Sequence, residues 1–238
     1  MSPDSTDAKG HGKNDSAPVN VDDLMEKFDP EARYLRLSGI WASILKIIAI
    51  GFSVFQLYTA LFGVLEAQIQ RPTHLMFALT LIYLLYPTRT KKHQAGIHPF
   101  DLFLALMSVG AGLYSILNYE TLMESAGLYS TADLTMGIIG ILLTLEATRR
   151  IVGLPIVVIA SSFLLYAYLG AYFPGFLSHR GYEVKRIVTH MWFTTEGIMG
   201  IPLGVSSTFI FLFILFGAFL NSTGIMKFFM DLANAVAG

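Results

Sequence analysis

The chain has 238 residues, 54% of them hydrophobic and only 14% charged, with a mean hydropathy of +0.58, which is more apolar than a water-soluble domain requires. A formal net charge of −1 offers no basic surface to nucleic acid, and the absence of cysteine excludes disulfides, thiolate metal sites and cysteine nucleophiles.

Residues 1–37 hold eight acids and five Lys or Arg without any hydrophobic period. They bury too little surface to offset chain entropy and read as a disordered cytoplasmic tail. The tail lacks the apolar core and small-residue cleavage site of a signal peptide. Val21 to Phe28 could at most form one short interfacial helix, so the first span serves as the uncleaved membrane signal.

A spanning helix needs about 20 mostly apolar residues, because its backbone polar groups must pair internally. Five segments meet or approach this requirement, from about Ile40 to Leu65, Pro72 to Tyr86, Phe100 to Asn118, Ala132 to Thr148, and Ile151 to Phe173. The second is short and needs Gln68 to Gln70, or a thin, protein-lined environment, to cross. Cytoplasmic loops carry the excess of Lys and Arg. Arg89, Lys91 and Lys92 follow the second segment, and Arg149 with Arg150 separates the fourth from the fifth. Tyr119 to Thr131 contains Glu120 and Glu124 and no Lys or Arg. An N-terminus inside the cell satisfies all of these. Pro87 and Pro155 sit near span ends, where a missing N–H is least costly.

Beyond Phe173, Pro174 and Gly175 make a turn. His179 to Phe193 then mixes Arg180, Glu183, Lys185 and Arg186 with apolar residues at 184, 187, 188, 191 and 192. That is the spacing of an amphipathic helix along the interface, with Trp192 as a headgroup-level anchor. Ile198 to Leu220 is apolar enough to span, yet Gly197, Gly200, Pro202 and Gly204 fall within eight residues, and Ser206, Ser207 and Thr208 follow directly. Broken backbone at membrane depth is tolerated only against protein or a watered cavity. The segment is therefore expected to form a helix break or re-entrant hairpin. Gly200, Pro202 and Gly204 would make its turn, and the hydroxyls of Ser206, Ser207 and Thr208 would offer oxygen ligands to a cation at its tip. The other readings are a kinked spanning helix and ordinary packing by small hydroxyl residues. Asn221, Ser222 and Thr223 cap the second arm, Gly224 ends it, and Met226 to Val236 begins another helix. The fold class is all-α: a polytopic helical membrane protein with about five spanning helices, an interfacial amphipathic helix and a broken or re-entrant helical hairpin.

Glu146, Arg149 and Arg150 form a charged cluster at a span end. A Glu146–Arg150 ion pair at i to i+4 would be structural, and Arg149 marks the cytoplasmic face. Lys46 snorkels from the first span or reaches an acidic lipid, and Asp101 is a first-turn acid stabilised by a helix N-terminus. His74, His93, His98, His179 and His190 lack the i to i+4 pairing of a zinc helix, and neither G-x-x-x-x-G-K-[ST] nor G-x-S-x-G occurs. No metal site beyond sodium and no enzymatic activity are expected.

Several runs together carry a resemblance. They are Glu196 to Gly224 with its Gly, Pro and hydroxyl pattern, Leu145 to Arg150 followed by Gly153 and Pro155, Tyr166 to Gly170 followed by Pro174 and Gly175, and the closing Phe228 to Gly238. The chain resembles the fused permeases of tripartite ATP-independent periplasmic (TRAP) transporters, strongly after residue 132 and by span pattern from about residue 35. The resemblance implies a small four-helix subunit, residues 38–131, fused to the start of a large transport subunit, residues 132–238, with the boundary between 130 and 150. It implies coupling to a sodium gradient with no other cofactor, and a periplasmic solute-binding protein that delivers a small organic anion. C4-dicarboxylates, other acids and sugar acids all remain open. It places the chain in the cytoplasmic (inner) membrane of a bacterium or archaeon, with the lipid bilayer and the remaining part of the transport subunit as partners and no nucleic acid. In such permeases the large subunit carries inverted repeats and moves against a scaffold. A second broken segment is thus expected beyond Gly238, and one repeat alone is not expected to transport. The competing readings are a non-transporting membrane scaffold or assembly subunit, and a channel, which would need a continuous polar pore.

Overall fold

A computed structural model describes residues 37–88, 97–124 and 127–237. The expectations for the N-terminal tail up to residue 36 and for Arg89, Lys91, Lys92 and His93 lie outside the described residues. The chain forms α1 (Ile40–Phe62), α2 (Ala67–Leu85), α3 (Pro99–Leu117), the short α4 (Tyr119–Glu124), α5 (Thr131–Ile151) and α6 (Leu154–Leu169). Two 3-10 turns, Gly170–Tyr172 and Gly175–Leu177, lead to α7 (Val184–Phe193). Next comes α8 (Ile201–Val205), which passes through the wide π turn Ser206–Ile210 into α9 (Phe211–Ser222), and α10 (Ile225–Ala237) follows. No strand occurs among the described residues.

Among the described residues, five stretches are long and apolar enough to cross a bilayer: Ile40–Phe62, Pro99–Leu117, Thr131–Ile151, Leu154–Tyr172 and Ile201–Ser222. The chain is thus an all-α, multi-pass membrane protein. α2 falls outside this set because Gln68, Gln70, Arg71, Thr73 and His74 dilute its first half. It starts at Ala67, ahead of the expected Pro72, and sits in the middle of the bundle. Leu75, Leu79, Tyr83 and Leu84 are buried in the core that α2 shares with α3, α5 and α7. α6 and α9 carry no buried residue, so they are apolar all round and suited to lipid.

Local signals set the helix ends. Pro99, Pro155 and Pro202 each occupy a first turn, where no intrahelical N–H is needed. Gly224, at φ +77°, takes a left-handed conformation between α9 and α10 that other residues resist. α5 opens with a capping box: Asp133 N–H donates to Ser130 Oγ at 3.2 Å, and Ser130 N–H donates to Asp133 Oδ2 at 2.6 Å. Tyr114 of α3 adds its hydroxyl to Asp133 Oδ1 at 2.6 Å, tying two helix ends together. Ser130→Ala should lower stability by about 1 kcal/mol. A thermal melt in detergent that matches wild type would remove the cap from this account.

Close approach within the bundle depends on glycine. A Cβ on Gly112 of α3 would lie 2.6 Å from Met76 Cβ of α2, and one on Gly137 of α5 would lie 2.7 Å from Val188 Cγ1 of α7. One on Gly140 would meet the Trp192 ring at 2.4 Å. Trp192 is therefore no headgroup-level anchor. It is 2% exposed, it fills the groove left by Gly140, and its Nε1–H donates to Ser115 Oγ at 3.1 Å. The apolar stripe of α7 faces α5 because two glycines there leave a slot for Val188 and Trp192.

The segment after α7 departs from the expected hairpin. The reversal lies at residues 194–200, where Ile198 N–H donates to Met191 O at 2.8 Å and Gly200 N–H donates to Gly197 O at 3.0 Å. From Ile201 onward the backbone is one helix to Ser222. Gly200 is its N-cap, Pro202 lies in its first turn, and Gly204 lies inside it, so Pro202 and Gly204 do not form a turn. The reason is local. Proline suits a first turn, and Gly204 gives room to the Arg71 guanidinium, three atoms of which lie 3.0 Å from where its Cβ would be.

Candidate functional site

The Gly/Pro-rich start of the last span brings three hydroxyl residues to a wide turn packed against α1 and α2. In the π turn Phe211 N–H donates five residues back to Ser206 O, although the dihedrals at Val205, Ser206 and Phe211 stay helical. Such a turn loosens the backbone ladder and exposes a carbonyl to outside partners. Gln70 of α2 takes that role, with Nε2–H donating to Ser207 O at 3.0 Å.

Around this bond lies a buried polar cluster in an apolar bundle. Gln70 Nε2 also approaches Gln56 Oε1 at 3.4 Å and Thr59 Oγ1 at 3.3 Å, both on α1. Thr59 donates its own hydroxyl to Gln56 O at 3.1 Å. Gln56 Nε2 donates to His74 Nδ1, so His74 Nε2 carries the proton of the neutral ring and donates to Ser206 Oγ at 3.2 Å. Phe52 closes the cluster, with its ring centre 5.0 Å from that of His74 and 4.4 Å from that of Phe211. Gln56 and Gln70 are each 1% exposed and Ser207 is fully enclosed.

The three predicted ligands differ in position. Ser206 faces His74, whereas Ser207 and Thr208 turn back and donate to Gly204 O, each at 2.9 Å. Those two hydroxyls have spent their protons, but their oxygens keep lone pairs. Gln70 has two N–H groups for three acceptors, and its Oε1 has no partner among the described residues. The cluster therefore encloses an acceptor oxygen, Gln70 Oε1, that no described donor reaches, and a buried oxygen left this way costs about 1–3 kcal/mol. The chemistry fits a guest that is a cation or a hydrogen-bond donor.

At the opposite end of the bundle, Glu146 lies against both predicted arginines. Arg149 forks onto its carboxylate at 2.7 and 2.8 Å, and Arg150 Nε reaches Oε1 at 2.9 Å. Arg150 also pairs with Asp101 at the start of α3 at 2.8 Å, with side-chain exposures of 3% and 1%. Its guanidinium further donates to Tyr86 O at 2.8 Å and Thr88 Oγ1 at 2.7 Å, and it lies 4.8 Å above the Tyr83 ring. This arrangement pins the end of α2, the start of α3 and the end of α5. Asp101 is thus a buried ion-pair partner and more than a helix-end acid.

The cluster residues Gln56, Thr59, Gln70 and His74 had not been selected from sequence. Their signal was present, since Gln70 and His74 stand one turn apart in the polar first half of a helix whose second half is apolar, and polar groups inside spans mark function or helix contact. Arg71 was also passed over. Its NH1 donates to Met199 O at 2.6 Å, fastening α2 to the turn before Ile201.

Residues 139–238 match the family described as tripartite ATP-independent periplasmic transporter, DctM component. No curated protein and no solved structure matched the chain. The family match begins within α5 and takes in α6 to α10, so Ser206 and Ser207 fall inside it while Gln56, Gln70 and His74 fall outside. Over those residues the chain is similar to the DctM component of such transporters.

Proposed function

We propose that this chain is the membrane permease component of a sodium-coupled secondary transporter, taking up a small carboxylate handed over by a periplasmic solute-binding protein. The reading rests on the DctM match over residues 139–238. It is supported by the enclosed polar cluster at the wide turn that holds Ser206, Ser207 and Thr208, where Gln70 Nε2–H donates to Ser207 O, Ser206 Oγ meets His74 and Gln70 Oε1 accepts from no described group. In this reading sodium sits among those oxygens, and no carboxylate among the described residues belongs to the cluster. A neutral oxygen set holds a monovalent ion weakly enough to release it each cycle. The Arg150 end faces the cytoplasm of the inner membrane and the Trp192 end faces the periplasm, since Arg149 and Arg150 belong on the inner side.

The test is uptake by the complete protein in proteoliposomes, using a labelled C4-dicarboxylate and a labelled sugar acid, each with its own binding protein. Uptake should require both an inward sodium gradient and the binding protein. Gln70→Leu and Ser206→Ala should raise the sodium concentration for half-maximal uptake by about tenfold, the equivalent of losing one buried oxygen contact. Uptake indifferent to sodium and to the binding protein would defeat the reading. Absence of uptake with any carboxylate, by an intact and well-folded protein, would leave a membrane scaffold.

A further inference from the structure

We propose that the groove between α5, α6 and α7 is a binding site for a single phospholipid with an anionic headgroup. The groove has a volume of about 570 Å³, and its floor is apolar, formed by residues such as Ile141, Leu145, Ile156, Phe163 and Ala167. One end is different. Tyr182, Arg186 and His190 close it, and Arg180 approaches the same ring. The guanidinium carbons of Arg180 and Arg186 lie 5.8 and 5.1 Å from the centre of the Tyr182 ring. Neither arginine forms an ion pair among the described residues. The nearby Glu196 carboxylate is directed to His190 instead, at 3.8 Å.

Shape and charge agree on the occupant. From Ile156 to Ala167 the α6 wall rises about 16 Å at 1.5 Å per residue, close to the depth of one leaflet of a hydrocarbon core about 30 Å thick. An acyl chain lying there would cover apolar wall while its phosphate met the guanidinium forks, which match phosphate oxygens in geometry as well as charge. An apolar protein helix would fill the same wall but leave both guanidinia without a counter-charge. The position of the basic group points the same way. Arg180, Lys185 and Arg186 stand on the α7 side, away from the Arg149 and Arg150 end where the loop bias gathers positive charge. An anionic headgroup gives them a partner there.

Native mass spectrometry of the full chain, released from detergent with added phosphatidylglycerol or phosphatidylcholine of matched chains, tests the site. Wild type should keep one phosphatidylglycerol after delipidation. Arg180→Gln with Arg186→Gln should weaken it roughly twenty-five-fold, at about fivefold per basic residue facing an anionic lipid. The paired Lys substitutions should keep most of the affinity. Ala160→Trp, which fills the groove, should abolish tight binding of either lipid, and Ala167→Phe serves the same purpose if the first variant fails to fold. Retention unchanged by the Gln pair, or reduced by it but not by filling the groove, overturns the proposal, the latter meaning that only a surface patch binds headgroups. Because the chain lacks cysteine, Ala160→Cys carries a unique photocrosslinker. Capture of polypeptide and no lipid at that position in native membranes would overturn it too.

Discussion

Asp101→Leu should destabilise the protein by about 3–5 kcal/mol, the usual cost of removing one partner from a buried ion pair. Arg150 is then left 3% exposed with its charge answered, among the described residues, only by Glu146, on a shared oxygen that already serves Arg149. Thr88 loses as well, since its hydroxyl donates to Asp101 Oδ1 at 2.6 Å while accepting from Arg150. Arg150→Leu should cost a similar amount, because Asp101 is 1% exposed and would keep, among the described residues, only the Thr88 contacts. The double replacement by leucine should recover much of either loss, since the enclosed space favours apolar filling once neither charge remains. Unfolding of the purified protein by SDS titration measures all three. Strictly additive losses would show that the two residues act independently and would remove the ion pair as the pin between α2, α3 and α5.

Gly140→Ala and Trp192→Ala form the second pair. The alanine methyl would stand 2.4 Å from three atoms of an indole that cannot retreat, being enclosed and bonded to Ser115. Overpacking of this kind costs about 1–3 kcal/mol. Trp192→Ala empties the slot and should cost about 3–5 kcal/mol. In the double variant the methyl enters the space vacated by the ring, so the combined loss should fall short of the sum. A sum reached in full by thermal melts would mean that the two residues do not share one slot.

Much of the architecture was legible because apolar runs of about 20 residues have one stable form in a bilayer. The spans around α1, α3, α5 and α6 follow from length and hydropathy, and the helical spacing of 184, 187, 188, 191 and 192 gives α7. What escaped was the use of each glycine. Gly200, Pro202 and Gly204 look alike in a sequence as helix breakers, yet the first ends a turn, the second starts a helix and the third makes room for Arg71. Trp192 was misplaced for a similar reason: an amphipathic pattern shows which side is apolar but not whether lipid or Gly140 covers it. The polar cluster was hidden by separation, since Gln56, Gln70 and Ser207 meet only after three helices pack.

The wide turn at Ser206–Ile210 also changes what lies downstream of it. An α residue advances about 100° around the axis, and a π turn spends one residue more than an α turn over the same rise. Every side chain from Phe211 to Ser222 is therefore offset by one such step from the compass bearing that Ile201–Val205 would have set. Excising a single residue from this turn would leave the composition of the span nearly intact. It would swing Phe211 off Phe52 and repoint the whole of the helix beyond it, so that an alteration of one position in length would be read as a different surface.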